Sequence, residues 1–369
     1  MKYVRTHETR DKFLADKDST SRGFRLAPTL YKYSDESEDE DNRDHIYLEL
    51  DDPRKHEGST YMEIALSSDV EFSFYIGNKS GDTQTTMTCT IDWGDGTIET
   101  KTITKDNYGF KLAHNYVAGS YKIELYDVER DYVIVGGKFT DEYGNTSFIT
   151  PINSVKRVVL GEGVVSIGYC AFEDCHSLTS IFIPEGVTYM ESRAFDGCIS
   201  LTSIYIPEGV TKIGSNMFWN CPSLTSIYIP DKVTSIGDYA FAGCTSLKSI
   251  YIPEGVTKIG NGVFRSCYTL KSIYLPEGIT TINQYTFYNC KSLKSIDIPE
   301  KVTSIGDSAF EDCTSLTSIS SFNLTTPTLG GNIFLNLPTN GTLHIKPGAT
   351  GYDAWLSKLP EGWRIVEDL

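Results

Sequence analysis

A phenylalanine and a cysteine, three positions apart, recur every 23 residues through the C-terminal half of this chain. The seven pairs are Phe172/Cys175, Phe195/Cys198, Phe218/Cys221, Phe241/Cys244, Phe264/Cys267, Phe287/Cys290 and Phe310/Cys313. Self-similarity at a fixed period in the twenties is the signature of a solenoid, in which each repeat packs only on its neighbours. We therefore predict a stack of coils with long display surfaces and no single catalytic cleft.

Each unit keeps a few apolar positions fixed among polar, small, Gly and Pro residues. In the unit of residues 240–260 they are Phe241, Cys244, Leu247, Ile250, Ile252, Val256 and Ile259. The segment 250–252 alternates inward and outward as a strand does, and Pro253 ends it because proline lacks the N–H that a ladder needs. Phe and Cys at i and i+3 have the spacing of one turn of an α- or 3₁₀-helix.

The pattern LxxIxIPxxVxxIGxxAFxxC resembles the BspA-like leucine-rich repeat, from residue 155 to about residue 320. Members of that family are mostly surface proteins of host-associated bacteria and some eukaryotic microbes. The resemblance implies a right-handed solenoid with short parallel strands and short helical turns, used for adhesion or protein binding without enzymatic chemistry. A half-unit at 155–168 begins the solenoid. A degenerate eighth coil, with one residue inserted, is expected after Leu316, and Trp355 and Trp363 should cover the open end.

Residues 57–150 are predicted to form a small antiparallel β-sandwich, which makes the whole chain mainly β. The segments YMEIALS, VEFSFYI and TMTCTIDW alternate apolar and polar residues, as half-buried strands do. Asp95-Gly96 between strand-like runs is a strong hairpin signal. Together, the motifs at 93–97 and 114–125 resemble the PKD-like sandwich, whose pattern is close to DWGDG…HxYxxxGxYxI. That resemblance implies an extracellular spacer or a carbohydrate-adjacent module, of the kind that accompanies carbohydrate-active enzymes.

Two aspartates and one histidine in this segment are of residue types that can bind a metal ion or take part in catalysis. Asp92 and Asp95 supply only two carboxylates, fewer than the roughly six oxygen ligands that calcium takes, so turn stabilisation is favoured over a metal site. His114 is interpreted as a hydrogen-bonded packing residue. No metal ion and no cofactor is expected in this chain.

Residues 1–56 are predicted to be an extended, charged arm. Residues 1–25 hold seven Lys and Arg against four Asp and Glu, whereas residues 34–52 hold ten Asp and Glu against Arg43 alone. Such charge blocks mark either disordered tails or docking arms, because they bury too little apolar surface to offset ordering entropy. We expect the arm to dock the chain to a larger assembly, and a disordered tail is the alternative. The predicted domains are thus 1–56, 57–150 and 151–369.

The formal net charge of −16 argues against a general nucleic-acid or anionic-membrane binder, since phosphate contacts need clustered Lys and Arg. No apolar run approaches the roughly 18 residues of a membrane span, so membrane insertion is not expected. The first twenty residues contain no apolar stretch typical of a secretory signal. A bacterial surface protein is expected to carry such a signal, which leaves two locations open: a virion, or a cell surface reached with a signal that this sequence does not contain.

Seven of the nine cysteines belong to the repeat. A metal site needs several converging thiolates, and an in-line column does not converge. The roughly 4.8 Å distance between paired strands would allow disulfides between neighbouring coils. Their geometry would be poor, however, because the Cα–Cβ bonds of the column point in parallel directions. Buried free thiols that pack as small hydrophobes are therefore favoured. Cys170, outside the column, is expected to be a partly buried surface thiol.

The candidate binding surface is the outward strand column. Side chains between two inward residues must face the other side of the sheet, which predicts an exposed strip of five aromatics and a basic row before it. The residues are Phe182, Tyr205, Tyr228, Tyr251 and Tyr274, with Lys248, Lys271 and Lys294. An acidic row follows the strands, from Glu185 to Glu300. Tyr-rich surfaces resemble binding paratopes, and the alternative is a ladder that only stabilises the sheet.

The sequence thus predicts a non-enzymatic recognition or adhesion protein on an exterior surface, with a protein or glycan partner on the strand face. No catalytic motif such as GxSxG, HExxH or a P-loop is present. The first hypothesis for its setting is a bacteriophage tail or head appendage that contacts the host surface or mucus. The alternative is an exported bacterial cell-surface adhesin. A carbohydrate-active enzyme and a purely structural virion component also stay open, as does homo-oligomerisation.

Overall fold

The computed structural model describes residues 59–78, 84–105, 110–126, 128, 132–134 and 152–369. By its internal contacts the chain divides into Met1–Lys55 and His56–Leu369. All the described residues belong to the second of these units. The predicted arm of residues 1–56 lies outside the described residues, so its docking role stays a prediction.

Among the described residues, seven strands precede the repeats, and their pairing with one another is antiparallel wherever two of them are neighbours. They are β1 (Thr60–Leu66), β2 (Val70–Asn78), β3 (Thr86–Asp92), β4 (Ile98–Thr104), β5 (Phe110–Tyr116), β6 (Gly119–Tyr126) and β7 (Tyr132–Ile134). Burial alternates along β3, as the period-two pattern predicts. The resemblance of residues 57–150 to the PKD-like sandwich stays a prediction.

The repeats contribute fourteen short strands, a 3₁₀ turn at Ile152–Ser154 and one helix, α1 (Asp353–Leu356). The strands are β8 (Val155–Val159), β9 (Val164–Ile167), β10 (Ser180–Phe182), β11 (Tyr189–Met190), β12 (Lys212–Ile213), β13 (Ser235–Ile236), β14 (Lys258–Ile259), β15 (Thr281–Ile282), β16 (Ser295–Ile298), β17 (Ser304–Ile305), β18 (Ser318–Ser321), β19 (Thr328–Leu329), β20 (Thr342–Ile345) and β21 (Arg364–Glu367). This is a mainly β solenoid of about nine coils with almost no helix.

The register of the coils follows the sequence period. Ser180 pairs with Arg157 and Ser235 pairs with Lys212, in each case a neighbour 23 positions away in a parallel strand. At the C-terminal end the offset becomes 24, since Thr328 pairs with Ser304. The predicted insertion of one residue in the eighth coil is therefore confirmed, and the coils continue in register past it.

The N-terminal strands and the first coil share their sheets. One sheet has the order β10-β8-β1-β6-β3-β4, and β8 lies antiparallel to β1. A second has the order β11-β9-β7-β2-β5, and β9 lies parallel to β7. Strand pairing thus crosses the predicted boundary between residues 150 and 151. The first coil is covered by paired strands, and its backbone groups are hydrogen-bonded on that side.

The solenoid core is built on two columns. Eight phenylalanines from Phe172 to Phe334 stack one on the next, with ring centroids 5.4 to 6.4 Å apart and planes within 10° of parallel. Beside them the cysteines are free and fully buried, as predicted. Trp355 continues the stack beyond Phe334 at 5.6 Å and is 1% exposed, which confirms its role as a cap.

The cysteine column also makes hydrogen bonds that the sequence interpretation missed. Cys244 Sγ donates to the carbonyl oxygen of Phe218 in the preceding coil at 3.2 Å, and Cys267 does the same to Phe241 at 3.3 Å. Four other members of the column repeat this bond. A thiol at this position fills apolar space and satisfies a buried carbonyl that alanine or valine would leave without this partner.

Three local predictions need correction. The Phe–Cys segments are hydrogen-bonded turns and not helical turns, because each Phe is bracketed by left-handed residues such as Tyr239 (φ 56°) and Gly243 (φ 78°). Segment 250–252 keeps the inward–outward burial, but it is not hydrogen-bonded as a strand in the central coils. Cys170 is buried, at 5% exposure, because it lies under Tyr169 and beside Glu173.

Candidate binding surface

The outward column is only partly exposed. Tyr251 is 52% exposed, and Tyr228 and Tyr274 on either side of it are half-buried. Phe182 and Tyr205 are buried, at 6% and 9% exposure, so the predicted five-residue exposed strip is wrong at its N-terminal end. The exposed aromatic surface is therefore limited to Tyr228, Tyr251 and Tyr274, which we call the tyrosine strip.

The cause of this burial lies in the shared sheet. Phe182 pairs with Val159, and Val159 pairs with Tyr61 of β1. Both neighbours are themselves buried, at 6% and 4% exposure, and the ammonium group of Lys122 lies 4.1 Å from the centre of the Tyr61 ring. At this end of the column, large apolar side chains from consecutive strands cover one another, as cross-strand neighbours do.

The tyrosine hydroxyls are held by the acidic row of the preceding coil. Tyr205 donates to Glu185 Oε1 at 2.7 Å, and Tyr274 donates to Glu254 Oε1 at 2.8 Å, in both cases 20 residues back along the chain. Burial, followed by the hydrogen bond to Glu185, raises the pKa of the Tyr205 phenol well above its ordinary value. The pKa of Tyr228 is raised by burial and then by the nearby Glu208 and Asp231 carboxylates.

The hydrogen bonds of Tyr205 and Tyr274 hold each of these two side chains at both ends, at the backbone and at the hydroxyl group. A ring that is already immobile loses little conformational entropy when a partner binds. The bonds also leave the rings, rather than the hydroxyl protons of Tyr205 and Tyr274, as the groups that a partner meets. The sequence contained the signal for this arrangement, since an acidic residue stands 20 positions before each tyrosine of the column.

The lysines of the predicted basic row stand three residues before Tyr251, Tyr274 and Asp297 along the chain. Lys248, Lys271 and Lys294 are exposed, and their backbones are linked by hydrogen bonds of 3.3 Å from Lys271 N to Lys248 O and 3.2 Å from Lys294 N to Lys271 O. Within residues 152–369, none of the three pairs with a carboxylate. One exposed lysine per coil thus stands in each of three consecutive coils, and Lys248 and Lys271 precede Tyr251 and Tyr274 by three residues.

Beyond Tyr274 the column changes from aromatic to polar. Asp297, Ser320 and His344 follow in paired strands, and His344 Nδ1 contacts the carboxylate of Asp368 at 2.9 Å. The strip therefore has a defined C-terminal limit as well as an N-terminal one. Its length is set by residue identity and not by the fold, because the coils themselves continue.

The hairpin between β3 and β4 forms a separate polar cluster. Asp92 Oδ1 accepts from Gly94 N at 2.8 Å and Asp95 Oδ1 accepts from Thr97 N at 2.9 Å, which confirms the predicted turn stabilisation. His114 contacts Asp95 at 2.8 Å and stacks on Trp93 with ring centroids 5.0 Å apart. Hydrogen bonds to His114 and Thr97 lower the pKa of Asp95 against the opposing effect of its burial.

Neither a metal site nor a membrane-spanning helix is found in the part of the chain that the structure describes. Among the described residues, no group of three or more His, Cys, Asp and Glu side chains converges as a metal site would require. In the same residues, no helix has the length and apolarity needed to cross a bilayer.

The repeats match the model of a known protein family. A model described as a BspA-type leucine-rich repeat region matches residues 142–267 and 211–341, with six copies. Together these ranges cover residues 142–341, more than half of the chain. No curated protein is significantly similar to this chain.

Solved structures of bacterial leucine-rich repeat proteins are similar to parts of the chain. A leucine-rich repeat protein of T. pallidum is 36% identical over 44% of this chain and 78% of its own, with a TM-score of 0.42. A leucine-rich cell surface protein of Faecalibacterium prausnitzii is 22% identical over 69% and 85%, with a TM-score of 0.37. A leucine-rich repeat protein of Eubacterium ventriosum is 19% identical over 80% and 85%, with a TM-score of 0.39.

Proposed function

Because this chain belongs to the BspA-type leucine-rich repeat family, we propose that it is a non-enzymatic recognition protein on a bacterial cell surface. It binds a protein or glycan partner on the host side through the tyrosine strip and the adjacent lysines. Family membership supports the cell-surface hypothesis, since members are mostly bacterial surface proteins. No observation favours the bacteriophage hypothesis, which stays a prediction from the sequence.

The observation that carries this proposal is the exposure of Tyr251. It is 52% exposed on the outer surface of the coils, between Tyr228 and Tyr274 of the neighbouring coils, and three exposed lysines without ion-pair partners in residues 152–369 precede this column along the chain. Tyrosine is among the residue types enriched in the few side chains that supply most of the binding energy at protein interfaces, because it buries a large area at low cost in conformational entropy. Nothing in the fold requires a tyrosine at this position, since Asp297 and Ser320 occupy it in later coils.

The other parts of the chain enter the proposal as attachment and spacing. The charged arm of residues 1–56 docks the protein to a larger assembly, and residues 57–150 serve as the spacer, as the sequence predicts. Self-association through the strip is the main competing use of the same surface. It gives a different result in the experiment below, because it changes the mass of the purified protein in solution.

The test is binding of the purified full chain to intact epithelial cells and to immobilised mucin, measured by flow cytometry and by biosensor. We expect the double variant Tyr228→Ser and Tyr251→Ser to lose at least about tenfold in affinity, the loss of roughly 1.4 kcal/mol or more that truncating an aromatic anchor brings. Tyr268→Ser is the matched control, because Tyr268 is 39% exposed in a turn away from the strip.

The double variant should lose some stability, because Tyr228 is half-buried, but it should be fully folded without urea and unfold in one cooperative transition, which separates loss of contact from loss of fold. Unchanged binding by the double variant refutes the strip as the contact surface. Absence of binding to both targets, together with a dimeric mass that the double variant abolishes, assigns the strip to self-association instead.

A further inference from the structure

A second set of strands runs along another side of each coil and leaves a groove. The strands β11 to β15 contribute two residues each, and the position that follows each strand forms a column across the coils. In three consecutive coils that position is glycine, at Gly214, Gly237 and Gly260. A Cβ on Gly237 would lie 2.5 Å from Ser215 N, so close stacking of the coils admits no side chain there.

The glycine column forms the floor of this groove. Residues from five consecutive coils line it, and its volume is about 580 Å³. The two coils at its ends carry Glu191 and Asn283 in place of the glycine, and Asn283 Nδ2 is tied to Ile259 O at 2.5 Å. Five coils at the roughly 4.8 Å spacing of paired strands give a groove about 19 Å long and parallel to the solenoid axis.

The walls of the groove are polar and carry balanced charge. One wall presents Lys212, Ser235, Lys258 and Thr281 in register, with Tyr189 at its end, 56% exposed. The other wall presents Ser192, Ser215 and Asp238. The lining thus holds two ammonium groups, of Lys212 and Lys258, and two carboxylates, of Glu191 and Asp238, together with several hydroxyl groups.

We propose that this groove binds a neutral, extended oligosaccharide. Sugar hydroxyls both donate and accept hydrogen bonds, so they match walls that alternate ammonium, carboxylate and hydroxyl groups. An exposed tyrosine at the end of the wall supplies a ring face for an apolar sugar face. A hexose in an extended chain advances by about one coil spacing, so that one sugar unit faces each coil.

The charge of the protein selects against the other linear polymers. A chain with a net charge of −16 repels polyanions such as uronic-acid or sulfated glycans. The groove is lined by as many lysines as carboxylates, so a polycation finds no excess of negative charge there. The groove is separate from the tyrosine strip, and this inference does not depend on the function proposed for the strip.

The test is isothermal titration of the full chain with cellohexaose, laminarihexaose and xylohexaose, with polygalacturonate and polylysine as charged comparators. At least one neutral oligosaccharide is expected to bind, and Ser235→Trp, which fills the middle of the groove, should weaken that binding by about tenfold or more. Thr328→Trp is the matched control, because Thr328 lies in the equivalent strand position outside the groove. Tyr189→Ala, at an exposed side chain, provides a second variant that does not depend on how the tryptophan is accommodated.

Three results overturn the proposal: no neutral oligosaccharide binds, only a charged comparator binds, or both groove variants bind as tightly as the original protein. The two proposed surfaces remain distinguishable in these measurements. Ser235→Trp should leave cell binding through the strip unchanged, and the Tyr228→Ser and Tyr251→Ser variant should leave oligosaccharide titrations unchanged.

Discussion

At the residue scale, the cysteine column shows why one residue type is repeated. Six of its seven thiols donate across the coil interface to a phenylalanine carbonyl, and all seven lie in an apolar environment that disfavours the thiolate. Burial raises the pKa of the Cys244 thiol to about 12, from an ordinary value of 9.0. Burial also raises the pKa of the Cys313 thiol to about 12.

These raised pKa values predict a protein that loses stability in alkali. Below pH 9 the thiols are protonated whether the chain is folded or unfolded, and their contribution is complete. Between the ordinary pKa of 9.0 and the folded pKa of about 12, only the unfolded chain releases the proton, so the free energy of unfolding falls as pH rises. Urea unfolding midpoints measured across this range should decrease.

A thiol reagent provides the independent check. We expect the native protein to react with almost none of its nine cysteines at neutral pH and with all of them in urea, because every one is buried and free. The buried phenols of Tyr205 and Tyr228, whose pKa values are also raised, act in the same direction. A flat stability profile up to pH 12, or rapid labelling of the native state, contradicts this account of the column.

At the element scale, the four-residue turn around each Phe replaces the helical turn that the spacing predicts. Two left-handed residues bracket the ring, and the turn amides donate to the next coil, as from Phe241 N to Val263 O at 3.0 Å. Residue types at these positions vary from Arg193 and Tyr239 to Gly262. No single residue type is kept at these positions, so the sequence carries no fixed signal for them, and the spacing of Phe and Cys alone does not distinguish this turn from a helix.

We expect Gly243→Ala to destabilise the protein by about 1–2 kcal/mol, the cost of an L-residue held in the left-handed region. Its φ of 78° is accompanied by a close approach, since an added Cβ would lie 3.2 Å from Asn220 Cα. Gly186→Ala is the control, because that glycine does not have a positive φ and its added Cβ would lie 3.7 Å from its nearest neighbours. Equal urea midpoints for the two variants would show that the turn is not strained.

At the scale of the whole molecule, the repeated half was largely predictable and the junction was not. The period fixed which residues face inward from Phe172 to Phe310, because identical positions must stack in identical environments. The pairing of β1 with β8 joins Tyr61 to Val159, almost a hundred residues apart, and neither strand alone encodes its partner. The burial of Phe182 and Tyr205 follows from that junction, which is why the strip was predicted too long.

The shared sheets predict that the N-terminal strands and the first coil unfold together. Amides of β1 and β8 should exchange with deuterium at similar rates, because opening either strand exposes the ladder of the other. The last coils, which contact only their neighbours and α1, are expected to exchange independently. Fast exchange of β1 with full protection of β8 would show that the two parts are separate folding units.

Both ends of the solenoid are covered by other parts of the chain, which affects how the number of coils between them can change during evolution. The N-terminal coil meets paired strands and the C-terminal coil meets Trp355, so neither end depends on how many copies lie in the middle. Unequal recombination between the near-identical gene segments would add or delete one coil and leave both junctions intact. Related proteins are therefore expected to differ in length by multiples of the 23-residue unit, a form of variation by which a lineage can change the length of the solenoid without inventing a new fold.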